Sequence, residues 1–147
     1  MKLNKFILFL IPILLFGCAE SEPRKEINED EIIPVQHEYT EVSDYELTRE
    51  TIFDVDETQY YVYFFSLTCS HCEELKNFII EKALNRGDIY FVKGTSKDQI
   101  TNDPKKSIGA ENPGDIWILG YPSLLKISDK KCSKNLAGIS QIKSELN

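Results

Sequence analysis

No cluster of Lys and Arg stands out along the 147 residues, and the formal net charge is −7. A partner built on a phosphate backbone needs a basic face, so nucleic acid is excluded. Long apolar runs are also missing. The longest, residues 6–16, is interrupted by Pro12, and a helix that crosses a bilayer needs about 20 apolar residues. Histidine is scarce, with only His37 and His71, and the cysteines are Cys18, Cys69, Cys72 and Cys132. A closed zinc site takes four ligands in tetrahedral array. No second Cys/His pair accompanies Cys69, His71 and Cys72, so no metal is expected, and nothing in the pattern asks for a cofactor. There is no internal repeat. The apolar fraction of 41% suffices for one ordinary domain with extras at its ends.

The two inner cysteines stand in Thr68-Cys69-Ser70-His71-Cys72. Four cysteines are compatible with two structural disulfides, but their contexts differ. Cys18 closes a leader: Lys2 and Lys5 precede the apolar run, and Gly17 follows it. A basic start, a short apolar run and a small residue at its end predict a secretory signal over residues 1–17. Leu15-Phe16-Gly17-Cys18 resembles a bacterial lipobox, in which the cysteine is lipidated and becomes the mature N-terminus; Phe16 departs from that pattern, where a small residue is usual. Residues 18–42 are rich in Glu, contain Pro23 and Pro34 and show no sustained apolar period. They read as a flexible acidic tether, unable to bury enough surface to offset chain entropy. His37 lies in this tether and is given no role.

The domain is expected over residues 43–147. Leu47, Thr51 and Ile52 suggest a short helix, with Ser43 or Asp44 as its cap. Residues 60–65 are aromatic or β-branched throughout, which suits a central strand covered on both faces. After the tetrad, Cys72, Leu75, Phe78, Ile79 and Ala83 trace one face of a helix that Gly87 ends. Residues 89–92 form a second buried strand, parallel to the first through a right-handed crossover. Residues 94–113 are polar and irregular, with a short helix expected at 105–108. Residues 123–127 and 132–137 form a hairpin. A terminal helix covers 139–146, with Ser140 as a cap.

Strand, Cys-x-x-Cys, helix, strand, Gly-x-Pro, strand, strand and helix, in that order, resemble the thioredoxin fold: α/β, a central mixed sheet with flanking helices. The motifs that carry the likeness are Cys69-Ser70-His71-Cys72 and Gly120-Tyr121-Pro122-Ser123, about fifty residues apart. The resemblance implies that Pro122 is cis and packs beside the cysteines, and that the backbone of Tyr121 pairs with substrate polypeptide as an added strand. It also implies a buried acid six positions before the first cysteine; Tyr63 stands there instead.

The chemistry follows from position. Helix N-termini favour a thiolate over a thiol, and cysteines in such motifs have pKa values of about 3.5 to 7.5 against about 8.5 for a free one. Cys69, at the exposed start of the helix, is expected to attack a disulfide, and Cys72, on the buried face, to resolve the mixed disulfide. Ser70 and His71 would tune the pair. A His71 that stabilises the Cys69 thiolate makes the couple more oxidising; alternatively, it is a solvent-exposed loop residue. Tyr121 either adds an aromatic surface that selects substrate or only covers the cysteines. Cys132 reads as a spectator thiol and Trp117 as core or rim. The expected function is an extracytoplasmic thiol–disulfide oxidoreductase, anchored to the cell membrane through lipidated Cys18. Its partners would be exported or surface proteins with thiols or disulfides, and a redox partner protein. The alternative is an accessory or binding module that keeps the fold with little redox turnover.

Overall fold

The computed structural model describes residues 35–147. The leader, Cys18 and the tether up to residue 34 lie outside the described residues. The fold is organised around β2 (Gln59–Phe65), whose residues after Gln59 are all buried. Successive side chains on a strand point to opposite faces, so an unbroken apolar run belongs in a sheet covered on both sides. β2 pairs in parallel with β3 (Ile89–Lys93) and antiparallel with β4 (Ser123–Ser128). A two-residue edge strand, β1 (Glu46–Leu47), pairs in parallel with β3, and β5 (Lys131–Ala137) closes the other side, giving the order β1-β3-β2-β4-β5.

Between β2 and β3 lies α1 (Ser70–Arg86), which stops at Gly87 with φ of 76°. That left-handed conformation carries no penalty for glycine, and the Gly87 N–H donates to the Ala83 carbonyl at 2.8 Å. α2 (Ile139–Leu146) packs on the same side. Tyr61, Tyr63 and Phe65 face these helices, among Leu75, Ile79, Ala83 and Ile142. Tyr60, Val62 and Phe64 face the other way, onto Ile52, Ile116 and Ile118. The hairpin turns at Asp129 and Lys130, both at positive φ, as a two-residue loop matched to the strand twist requires. This is the α/β thioredoxin-like arrangement, a central mixed sheet with flanking helices.

The structure differs from the sequence reading in several places. The helix expected after residue 43 is a 3-10 helix over Tyr39–Tyr45, then β1, then a 3-10 turn over Arg49–Thr51. Its apolar residues serve both sides of the sheet: Val42 joins the helix-side core, and Ile52, Phe53 and Val55 join the opposite one. A segment that wraps around a sheet edge presents no single helical stripe. Residues 37–42, read as the end of the tether, pack on the body. Tyr39 stacks on Phe65 with ring centroids 4.0 Å apart, Val42 is buried, and Lys76 pairs with Glu38 at 3.1 Å. The helix expected at 105–108 is a series of turns, with a 3-10 turn over Pro113–Asp115. Gly138, not Ser140, is the N-cap of α2; Ser140 lies inside the helix and does not cap it.

Candidate active site: a cysteine pair at a helix N-terminus

β2 ends at Phe65 and the chain turns through Ser66, Leu67 and Thr68. The Cys69 N–H donates to the Ser66 carbonyl at 3.2 Å, and the Ser66 and Thr68 hydroxyls meet at 3.1 Å. This turn sets Cys69 as the N-cap of α1, in extended conformation, and its Sγ accepts the Cys72 N–H at 3.1 Å. A sulfur therefore takes the place that a capping oxygen usually fills, satisfying one of the free donors of the first turn. The same sulfur donates to the Tyr121 carbonyl at 3.3 Å.

Cys69 is half-buried, Cys72 is buried, and both are free thiols. Burial, followed by the nearby Cys69 thiol, pushes the Cys72 pKa up to about 12. Two cysteines one helical turn apart are thus made unequal by solvent access.

The Tyr121–Pro122 bond is cis, as the resemblance implied, and Pro122 is buried beside the cysteines' end of the sheet. The turn is braced by Ser123, whose hydroxyl donates to the Gly120 carbonyl at 2.7 Å and accepts the Leu119 N–H at 3.1 Å. Ser70 and His71 are exposed, and among the described residues neither side chain makes a hydrogen bond. Trp117 is half-buried with Lys106 Nζ 5.2 Å from its ring centroid.

Two of the remaining groups bear on the cysteines. Tyr63 is fully buried on β2, and its hydroxyl faces Tyr39 and Cys72 without a hydrogen bond of normal geometry to either. Burial holds its ionisation far above the ordinary tyrosine range, so it offers no charge to Cys72. Tyr39 reaches the same helix turn from the N-terminal segment, donating to the Cys72 carbonyl at 3.4 Å. Cys132, by contrast, belongs to the opposite core. Its thiol donates to the Lys134 carbonyl at 3.4 Å, and burial pushes its pKa up to about 11.

The Tyr121 side chain is half-buried and packs against both cores, the one that holds Cys72 and the one on the opposite face. Its hydroxyl donates to Asp98, which also pairs with Arg49 at 3.2 Å. No motif marks Arg49 or Asp98, and the sequence reading missed both. They lie 49 positions apart and meet because the chain wraps around the β1 edge and the loop after β3 returns to it. The two residues also border a cavity of ≈ 540 Å³ at the ends of β1 and β3, whose wall includes Leu47, Val92, Thr95 and Lys97.

No family model and no curated protein matches this chain. Solved structures with a similar course include thioredoxin f2 of Chlamydomonas reinhardtii, 16% identical, covering 69% of this chain and 92% of that one at a TM-score of 0.44. Mitochondrial thioredoxin 3 of Saccharomyces cerevisiae, in its oxidized form, is 12% identical over 69% and 91% at 0.47. A Plasmodium falciparum thioredoxin is 14% identical over 69% and 94% at 0.46.

Proposed function

We propose that this protein is a thiol–disulfide oxidoreductase that works outside the cytoplasm, held at the membrane by a lipid on Cys18. It acts on thiols or disulfides of exported or surface proteins and exchanges electrons with a separate redox partner protein. One observation carries the redox reading: an accessible sulfur, Cys69, caps a helix N-terminus, and a second sulfur, Cys72, waits one turn deeper with its amide bonded to the first. In the reducing direction the Cys69 thiolate attacks a substrate sulfur, the substrate S–S bond breaks, and the departing thiolate takes a proton. Cys72 then loses its proton and attacks the Cys69 sulfur, releasing the second substrate thiol and leaving a Cys69–Cys72 disulfide. Two electrons pass from the dithiol to the substrate, and the reverse sequence oxidises a substrate dithiol. His71 leans the pair toward oxidation or isomerisation if it stabilises the thiolate.

The test is turnover. Cys69→Ser is expected to abolish both insulin reduction and oxidation of a reduced polypeptide, and Cys72→Ser to trap a mixed disulfide on Cys69. Equal turnover by wild type and Cys69→Ser would sink the redox reading. Tyr63 motivates the second reading, a binding or accessory module, because the helper acid that the resemblance implies is absent. Partner capture that survives loss of both cysteines would favour it. Mass spectrometry of the mature N-terminus tests the anchor: an unmodified Cys18 in the exported protein rejects it.

A further inference from the structure

Tyr121 touches Cys69 with its backbone and is held from behind by its side chain. At one end its carbonyl accepts the Cys69 thiol at 3.3 Å. At the other its hydroxyl donates to Oδ2 of Asp98, which also accepts the Thr95 N–H at 3.0 Å. Oδ1 of Asp98 accepts from Arg49 Nη1 at 3.2 Å, and the second terminal nitrogen of Arg49 donates to the Ile116 carbonyl. The Asp98 side chain is 2% exposed. A buried carboxylate is costly unless its lone pairs are filled, and here a guanidinium, an amide and a phenol fill them. The seat of the ring is equally specified. A Cβ on Gly94 would lie 2.3 Å from the Tyr121 ring, so only glycine leaves room for it. The Gly94 N–H is bonded to the Phe65 carbonyl at 2.7 Å, at the end of the strand that leads into the cysteines.

We propose that Arg49 and Asp98 are positioning residues for the exchange reaction: by gripping the Tyr121 phenol they hold the Tyr121 carbonyl against the Cys69 sulfur and fix the backbone past which a polypeptide substrate must lie. The inference rests on the oxidoreductase reading. Its physical content is a separation of substrates. A polypeptide disulfide needs both the Cys69 sulfur and an ordered backbone beside it, and loss of orientation in such a contact is expensive in rate. A small disulfide needs only the half-buried sulfur.

The test uses the full chain, with dithiothreitol as electron donor, and compares kcat/KM for insulin with the rate toward a small aromatic disulfide. Asp98→Ala is expected to lower kcat/KM for insulin about tenfold, equivalent to ~1.4 kcal/mol, chiefly through KM, with the small-disulfide rate within about twofold of wild type. Tyr121→Phe cuts the same link while leaving the Arg49–Asp98 pair intact, and is expected to show the same insulin loss. The double variant should lose no more than Asp98→Ala alone, since both remove one interaction. Should Asp98→Ala fail to fold, Tyr121→Phe decides. Equal losses toward both disulfides with a lowered Tm would make Asp98 merely structural and overturn the proposal, as would unchanged insulin turnover or fully additive losses. A wild type inert toward both disulfides overturns the redox reading and this proposal with it; an active wild type with an unaffected Asp98→Ala sinks the proposal alone.

Discussion

Both faces of the sheet bury aromatic and aliphatic side chains, yet different kinds of structure cover them. On one, Tyr61, Tyr63 and Phe65 lie under α1 and α2. On the other, Tyr60, Val62 and Phe64 lie under irregular segments that carry Ile52, Phe53, Val55, Ile116 and Ile118. Apolar burial is indifferent to this choice, because it depends on area removed from water and not on the cover's backbone. The polar consequences differ. A helix satisfies its own backbone except at its ends, so the helical face concentrates its free donors at one point, where Cys69 sits. Irregular backbone leaves buried groups to be satisfied one by one. On that face side chains do the work: Arg49 donates to the Ile116 carbonyl, Lys130 to the Val55 carbonyl, and Asn135 and Ser107 to the Trp117 carbonyl. The helical cover places the Cys69 sulfur at its N-terminus, and the irregular cover supplies the anchor of the residue facing it.

The largest effects should come from adjacent residues on opposite faces. Phe65→Ala and Phe64→Ala are each expected to cost about 3–5 kcal/mol in urea unfolding. Only Phe65→Ala should also lower insulin turnover of the folded fraction, because Tyr39 stacks on Phe65 and bonds the Cys72 carbonyl. Equal turnover losses from both would mean that Phe64 supports the cysteine end of the sheet as much as Phe65 does.

Buried hydroxyls sharpen the contrast at smaller scale. Ser107 accepts the Trp117 N–H at 2.7 Å and donates to its carbonyl at 2.8 Å, so Ser107→Ala should cost about 1–3 kcal/mol by stranding an amide. The Tyr63 hydroxyl lacks a partner, so Tyr63→Phe should change unfolding by less than about 1 kcal/mol and in the stabilising direction. A large loss from Tyr63→Phe would reveal a bond to Cys72 or Tyr39.

One further effect is visible only at alkaline pH. The folded Cys132 pKa lies above its ordinary value, so its contribution to stability is complete below pH 9 and is lost as pH rises toward 11. With the Cys69–Cys72 pair oxidised, to silence Cys72, Cys132→Ala should flatten the fall of unfolding free energy between pH 9 and 11. An unchanged slope would show that Cys132 does not titrate from a buried site.

What was legible in the sequence follows the same division. The β2 run, the α1 stripe, the Gly87 stop and the hairpin each rest on a local period or a local turn, and the structure places them within a few residues of expectation. The cysteine pair was legible because its chemistry depends on a strand-to-helix junction, which is itself local. The course of residues 39–55 was not, because its apolar residues divide between two cores. The same reason hid Val42 and Tyr39 inside an apparently acidic tether.

By itself, the sequence determined that Cys69 and Cys72 sit where a strand gives way to a helix, since propensity and periodicity act over a few neighbouring residues. Only the tertiary structure decided that Tyr121 turns its carbonyl to Cys69 and its phenol to Asp98. That choice depends on an arginine 49 positions from its carboxylate and on a glycine with no room for a Cβ. Contacts between segments distant in sequence leave no period to read.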